Sequence, residues 1–184
     1  VTPAVPDTFF TVRWYLRLDS TFDPAFIARG PTDGVGFFQT ERGVQSRIQR
    51  FGLPKKLNGN DGGSVHYYIK GVPKEFQPAF QSAFDEWNGQ FFGLLRKKLL
   101  TYEFIDATDT RYNQLVTGDV RYNIVEWDTE NVATYGGLGP SIANQFTGQI
   151  LSANVLVQGP TVVAIYTKWF KVSKVARELR AAGD

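Results

Sequence analysis

The sequence predicts an α+β fold, in which one long helix crosses a mixed β-sheet and a short β-rich N-terminal segment comes first. Short segments rich in β-branched and aromatic residues recur from residue 64 onward. One segment instead spaces its aromatic residues as a helix does. A Gly- and Asn-rich stretch at 52–63 precedes these elements. The expected division is therefore a β-rich segment at 1–58 and a second unit at 64–184.

The individual elements follow from local patterning. Strands are expected at residues 9–18, 35–40, 64–70, 100–107 and 119–127. Residues 43–51 fit either a short helix or another strand. Residues 135–158 are typical of one tight β-hairpin, with the polar turn ANQFTGQ before its second arm, Ile150 to Val157. A last helix is expected to run to about Ala181 from an N-cap at Thr161.

The first helix is expected near residues 78–97. Its aromatic stripe has spacings of three and four and consists of Phe76, Phe80, Ala83, Phe84, Trp87 and Phe91. Pro78 would fall in the first turn, where a proline costs no hydrogen bond. The side chains expected to face the sheet are Phe80, Phe84, Trp87 and Phe91.

Composition excludes several classes of function. The net charge is +2, from 20 basic and 18 acidic residues, which gives no electrostatic case for binding nucleic acid. The sequence has no cysteine, so it has no disulfide, thiolate metal site or cysteine nucleophile. No apolar run reaches the roughly 18 residues of a membrane span. The first ten residues lack Met and the pattern of a signal peptide, so a processed or trimmed start is expected.

Candidate catalytic and metal-binding residues are few. His66 is the only histidine, and with no cysteine it cannot complete the usual set of three or four zinc ligands, so a structural role is expected. Asp106 and Asp109 lie in a turn-forming sequence without the spacing of an EF-hand. The same holds for Asn58, Asn60 and Asp61.

The serines and the glycine-rich stretch also lack the context of a catalytic or phosphate-binding motif. Ser141 is not in a G-x-S-x-G sequence, and Ser64 and Ser152 have no visible partner base. The GGLG sequence at 136–139 is not placed between a strand and a helix, as a phosphate loop requires. None of these positions is expected to perform chemistry.

The last helix combines basic and apolar residues. Its basic side chains are Lys168, Lys171, Lys174, Arg177 and Arg180, and a packed face is expected from Ile165, Trp169, Val172, Ala176 and Leu179. A solvated basic face over a packed apolar one is favoured over a stripe that binds membranes or nucleic acid. Val163 and Phe170 lie among the charges, so another segment is expected to cover them.

Several separated blocks resemble one family. They are VHYYIKGVPKEFQPAFQSAFDEWN, DVRYNIVEW and YGGLGPSIANQFTGQILSANVLV. In order and spacing they resemble the first half of the zincin-like metallopeptidase domain of large exported bacterial proteins. DGVGFFQT and RIQRFGLPK resemble the segment that precedes that domain, so the resemblance covers roughly residues 34–158. The matching positions are Pro73, Phe76, Pro78, Trp87, Asn88, Arg121, Tyr122, Trp127, Gly139, Pro140, Ser141, Thr147, Gly148, Ile150, Ala153 and Val155.

The resemblance implies a peptidase whose metal site is supplied elsewhere. Members of the family carry H-E-x-x-H and a further zinc ligand downstream, whereas this sequence ends at Asp184 before any such motif. Zinc is therefore expected in the complete enzyme and not in this chain alone. The expected partners are the remaining half of the peptidase domain, in the same or a second chain, and an extended peptide substrate. An exported bacterial protein is expected.

The resemblance also gives the hairpin a role. In such zincins the strand at the position of Ile150–Val157 is the edge strand above the cleft, where substrate adds as an antiparallel strand. The substrate-binding residues implied are Gly139, Ser152, Ala153, Asn154, Val155 and Leu156. A non-catalytic scaffold that binds peptide or protein at the same edge is the alternative. Carbohydrate binding has no support beyond aromatic content.

Overall fold

The computed structural model describes residues 12–16, 25–31, 36, 38–40, 46–53, 63–131 and 135–182. Their strands are β1 (Arg50–Phe51), β2 (Val65–Lys70), β3 (Leu100–Ile105), β4 (Asn123–Asp128), β5 (Gly137–Leu138), β6 (Ser141–Ala143), β7 (Gln149–Ala153) and β8 (Val155–Gln158). The helices are α1 (Gln77–Leu95) and α2 (Gly159–Ala182). Two helices with two mixed sheets confirm the α+β class in general terms.

The larger sheet has five strands in the order β3-β2-β4-β8-β5. The first four are parallel to their neighbours, and only β5 runs antiparallel, beside β8. The smaller sheet has the order β1-β7-β6, in which β1 is parallel and β6 antiparallel to β7. Within the described part of the chain, β3 and β5 are therefore the two edges of the larger sheet.

Successive side chains along each strand of the larger sheet point to opposite faces, and both faces are covered. On one face Ile69, Val125 and Trp127 are buried under α1, with Phe76, Phe80 and Phe84 packed against them. On the opposite face a second cluster contains Ile105, Leu115 and Ile124. The loop between β3 and β4 covers this second face.

Helix α1 is held to the start of β3 by one buried amide. The side chain of Asn88 accepts hydrogen bonds from the backbone N–H groups of Leu99 (3.0 Å) and Leu100 (2.8 Å), and donates one to the Leu100 carbonyl (2.9 Å). These bonds satisfy backbone groups that would otherwise be unpaired where the strand begins. Pro78 lies in the first turn of α1, as the sequence predicts.

The aromatic stripe of α1 is only partly buried. Phe80 and Phe84 pack on the sheet as predicted, but Trp87 is 60% exposed and stacks on half-buried Phe91. The prediction that Trp87 faces the sheet is therefore wrong. Its side chain points to the flank of the helix, because Asn88 takes the position that faces the strands.

The predicted single hairpin is a ribbon that crosses from one sheet to the other. β6 and β7 form an antiparallel pair around the predicted polar turn, and β5 continues the first arm while β8 continues the second. The crossing is closed by a hydrogen bond from the Asn154 N–H to the Pro140 carbonyl (2.8 Å). The second arm is thus two strands, with β7 between β1 and β6 and β8 between β4 and β5. The prediction that Ile150–Val157 is an edge strand is wrong.

Helix α2 follows β8 without a loop. It begins at Gly159, two residues before the predicted N-cap at Thr161, and the Gln158 side chain accepts a hydrogen bond from the Thr161 N–H (2.6 Å). After the first turns the helix extends away from the sheets, and Ile165, Trp169 and Val172 are all more than half exposed. The prediction that these residues form a packed face is wrong for this chain by itself. Val163 and Phe170 are exposed as well, at 43% and 50%.

The N-terminal segment is described only in pieces. Residues 12–16 form no strand, and most of the predicted strand at 9–18 lies outside the described residues. Gln39 and Ile48 form an isolated antiparallel bridge, and β1 gives a strand in the 43–51 region. Most of the predicted linker, residues 54–62, also lies outside the described part.

We predict that Trp127→Ala lowers the free energy of unfolding by about 3 to 5 kcal/mol, as large-to-small changes in a core do. Trp127 is 8% exposed and stacks on Phe76 with ring centroids 5.1 Å apart. Trp87→Ala serves as the matched control, and its cost is about 1 kcal/mol or less because the side chain is mostly exposed. Denaturant titration measures both, and equal losses would contradict the burial described.

A second prediction concerns the junction of β8 and α2. A Cβ at Gly159 would collide with the indole ring of Trp127, and the Asp128 carbonyl oxygen lies 3.0 Å away. Gly159→Ala is therefore expected to destabilise the fold by about 1 to 3 kcal/mol, as overpacking does. Gly89→Ala in α1 is the control, since nothing lies within 4 Å of its Cβ, and it should stabilise slightly. Equal stability of the two variants would show that this junction is loosely packed.

Candidate functional site

The free edge of the larger sheet at β5 is the candidate site. β5 pairs with β8 on one side, with Leu138 opposite Leu156 and Gly137 opposite Val157. The bonds that extend this pairing run from the Gln158 N–H to the Gly136 carbonyl (3.1 Å) and from the Asn154 N–H to the Pro140 carbonyl (2.8 Å). No described strand pairs with the other side of β5.

The backbone groups on this open side belong to two glycines. In an antiparallel pair, hydrogen-bonded residues alternate with residues whose N–H and C=O groups point away from the partner strand. Because residues 136 and 140 bond toward β8, the outward positions are Gly137 and Gly139. Neither position has a side chain, so another backbone can approach closely. Gly139 is one of the six residues predicted from the sequence.

Two of the other predicted residues, Ala153 and Asn154, are bonded to neighbouring strands, and a third, Ser152, is buried. The Ala153 N–H donates to the side-chain oxygen of Asn123 (2.9 Å), and the side-chain oxygen of Asn154 accepts from the Ile124 N–H (3.1 Å). Asn154 and Ser152 are buried, at 2% and 0% exposure. Ser152 lies in β7, and its Oγ has no hydrogen-bond partner among the described atoms. The bonds of Ala153 and Asn154 hold the ribbon crossing in place.

Val155 and Leu156 lie inside the sheet and not at its edge. Val155 pairs with Val125 of β4, and Leu156 lies between Glu126 on one side and Leu138 on the other. Each residue has a paired strand on both sides, so neither offers a free backbone edge. The prediction that Ser152 to Val157 supplies the free edge is thus corrected to β5, one strand further out. Whether these residues also contact a substrate remains a prediction.

An apolar groove lies beside α1, next to this edge. It has a volume of about 480 Å³ and is bounded by the exposed flank of α1, the sheet and β1, with Trp87, Ala83, Val125, Val155 and Phe51 among its lining residues. The register of β5 and β8 places Gly139 opposite Val155, a groove residue. Adjacent strands are about 4.8 Å apart, so the edge and the groove are neighbours.

His66 lies in β2, next to the opposite edge strand β3 of the same sheet, in a network of its own. Its Nδ1 is 2.9 Å from the Thr101 hydroxyl, and its Nε2 is 3.6 Å from Glu103. Arg111 donates to both Glu103 oxygens (2.8 and 3.2 Å) and holds the pKa of that carboxyl below its usual value. A zinc ion here would displace Arg111. No group of three possible ligands occurs in the described ranges, so these residues do not fit a zinc site.

A polar pocket of about 340 Å³ adjoins His66, between the two sheets. Arg121 lines it, but this guanidinium is committed to the buried carboxylate of Asp119 (2.6 Å). Burial acts to raise the pKa of Asp119, and the hydrogen bonds from Arg121 outweigh it, so the pKa lies below the usual value. The pocket therefore offers no free cation from Arg121 to an anionic ligand.

The sequence predicts no role for Gly137 or Asn123, and the resemblance implies substrate binding for Asn154, whose side chain bonds to the Ile124 N–H in the structure. The GGLG stretch lacks the setting of a phosphate loop, but glycines at alternate positions of a short strand also mark a close approach of another backbone, and this signal points to Gly137 as well as to Gly139. Asn123 and Asn154 carry no sequence signal that distinguishes them from loop residues. Their role follows from contacts between segments 30 residues apart.

The comparisons with known proteins add no relative to this geometry. No family, no curated protein and no solved structure matches the chain. Neither described helix has both the length and the hydropathy to span a membrane. The edge at β5 and its groove are therefore interpreted from their own chemistry, together with the resemblance in sequence.

Proposed function

We propose that this chain is the part of a zinc-dependent metallopeptidase that supplies the sheet and the substrate-binding edge. The observation that carries the proposal is the pair of outward glycines, Gly137 and Gly139, on an unpaired antiparallel edge. An extended peptide laid along β5 would receive main-chain hydrogen bonds from them, and the missing side chains leave its own side chains room.

The zinc site is assigned in this proposal to the remaining half of the peptidase domain. A segment with H-E-x-x-H would bind the metal through two histidines one helical turn apart, and its glutamate would activate water. The apolar groove beside α1 is where we place this segment, because one helix covers only part of a five-stranded sheet. Val155 would then lie under the segment while Gly139 lies beside the peptide.

The fit of the peptide depends on the backbone and not on a catalytic side chain of this chain. An added strand about 4.8 Å outside β5 would lie roughly 10 Å from β8. Its two faces would then continue the two faces of the sheet. Peptide side chains on the sheet face that α1 covers would approach the groove. Peptide side chains on the opposite face would point away from it. The bound peptide would thus present alternate side chains to the metal-bearing segment.

The first test substitutes the outward amide. Gly139→Pro removes an N–H that makes no bond within the described structure, so the fold is kept while one bond to peptide is lost. We expect affinity for unfolded casein peptides to fall about fivefold, as for one hydrogen bond. Gly139→Ala is the control, since its Cβ would make only ordinary contact, 3.9 Å from the Asn154 carbonyl oxygen.

These results separate the hypotheses. Weaker peptide binding by the proline variant than by the alanine variant, which keeps the N–H, supports the edge. Equal binding by all three proteins would show that β5 is only an architectural edge. Binding without hydrolysis by the complete, zinc-loaded protein would support the non-catalytic scaffold instead of the peptidase.

A separate prediction concerns the metal. We expect residues 1–184 alone to bind no zinc with catalytic-site affinity, because the His66 ring already contacts the Thr101 hydroxyl and the neighbouring carboxylate of Glu103 is bound by Arg111. Native mass spectrometry of the protein from its source is expected to show H-E-x-x-H in the same polypeptide or in a copurifying one. Stoichiometric, tight zinc binding by residues 1–184 would overturn this assignment. Export from a bacterial cell remains a prediction from the resemblance.

A further inference from the structure

The exposed helix α2 carries a heptad repeat. Its apolar residues recur at alternating spacings of three and four, and they are Val162, Ile165, Trp169, Val172, Ala176 and Leu179. In the heptad notation abcdefg, Val162, Trp169 and Ala176 occupy position a, and the other three residues occupy position d. This period of 3.5 residues is typical of a left-handed coiled coil. We call the stripe formed by these six residues the seam. It is narrower than the apolar face of a helix packed on a sheet.

The seam has no partner within the described chain beyond its first turn. Val162 packs against the core of the larger sheet, but Ile165 and Trp169 are each 64% exposed and Val172 is 61% exposed. Tyr166, beside the seam, contacts Phe76 with ring centroids 6.0 Å apart. The helix is therefore anchored at its start, and its apolar stripe is open from Ile165 to Ala176.

We propose that α2 pairs with α2 of a second copy of this chain as an antiparallel coiled coil. In this register residue Val162 packs against Leu179 of the second copy, Ile165 against Ala176, and Trp169 against Val172. Every layer then joins a larger side chain to a smaller one, which keeps the seam filled at interior density. A parallel pair would instead oppose Trp169 to itself and Ala176 to itself, which leaves one layer overfilled and another empty.

The charge distribution selects the same orientation. Four of the five basic residues of α2 lie between Lys171 and Arg180, where the one acidic residue is Glu178. A parallel pair would place these basic segments side by side. In the antiparallel pair each lies beside residues 161–170 of the other copy, in which Lys168 is the only charge. Like charges are thus kept apart, which reduces their repulsion.

The residues outside the seam are consistent with this pairing. The flanking e and g positions include uncharged Tyr166, Ser173 and Val175, and also Lys168 (g) and Arg180 (e). In the antiparallel register both basic residues lie beside uncharged residues of the second copy, so no like charges meet next to the seam. Val163 and Phe170 lie at b positions, away from the second copy, so the pairing neither uses nor covers them. The pairing is independent of the proposed peptide edge, because β5 takes no part in it.

The test measures association of the full 184-residue chain by sedimentation velocity over a concentration series. A dimer is expected, and Trp169→Glu should weaken it about 100-fold, as loss of a central anchor with burial of a charge does. Phe170→Glu is the matched control at the adjacent b position and should leave the dimer unchanged. A monomeric parent chain, or equal effects of the two substitutions, would overturn the proposal. So would a monomer that instead binds vesicles with anionic lipid headgroups.

Orientation is tested by cysteine crosslinking, for which the absence of native cysteine is an advantage. Ile165→Cys and Ala176→Cys variants are each oxidised alone and as a mixture. The antiparallel pair predicts a disulfide-linked dimer only in the mixture, since residues 165 and 176 share a layer. Crosslinking of each variant alone would show a parallel pair and contradict the proposed register.

Discussion

The pairing of β4 with β8 is the contact on which the rest of the described structure depends. Two buried or half-buried amides hold its beginning: Asn123 accepts from the Ala153 N–H and donates to the His66 carbonyl, and Asn154 accepts from the Ile124 N–H. Together they join β2, β4 and the ribbon. Among the described strands β5 pairs only with β8, and α2 starts directly after β8, so both the peptide edge and the exposed helix take their positions from this contact.

The same contact explains why the ribbon changes sheets. Asn154 lies between β7 and β8, where its backbone N–H bonds across to Pro140 while its side chain bonds to β4. A regular hairpin has no such break. The crossing divides the ribbon into the pair β6–β7 in the smaller sheet and the pair β5–β8 in the larger one. It leaves the outer side of β5 unpaired among the described strands. The edge is thus produced by structural residues that do not themselves contact a ligand.

Local patterns predict much of this fold because they depend on neighbouring residues. The strand at 64–70, the helix with Pro78 in its first turn and the turn at ANQFTGQ all follow from short-range spacing and turn chemistry. What the sequence cannot show is which side of an element is covered. Trp87 belongs to a continuous aromatic stripe, yet Asn88 takes the sheet-facing position through bonds to β3.

Strand order shows the same limit more clearly. Residues 150–157 have the composition of one β-arm, and only the partners of Asn154 reveal that the arm is divided between two sheets. An edge is defined by the absence of a neighbouring strand, which is a property of the whole sheet. Gly139 therefore has a backbone edge without a neighbouring described strand, as predicted, whereas Val155 and Leu156 lie between two strands.

Amide hydrogen exchange at three consecutive residues tests the central claim most directly. Leu138 bonds toward β8 and should exchange slowly in the free protein, whereas Gly137 and Gly139 point outward and should exchange rapidly. Addition of unfolded casein peptides to the complete protein should slow exchange at the two glycines and leave Leu138 unchanged. Slow exchange at Gly137 and Gly139 without peptide, or no change at either on binding, would contradict the assignment of β5 as the peptide edge.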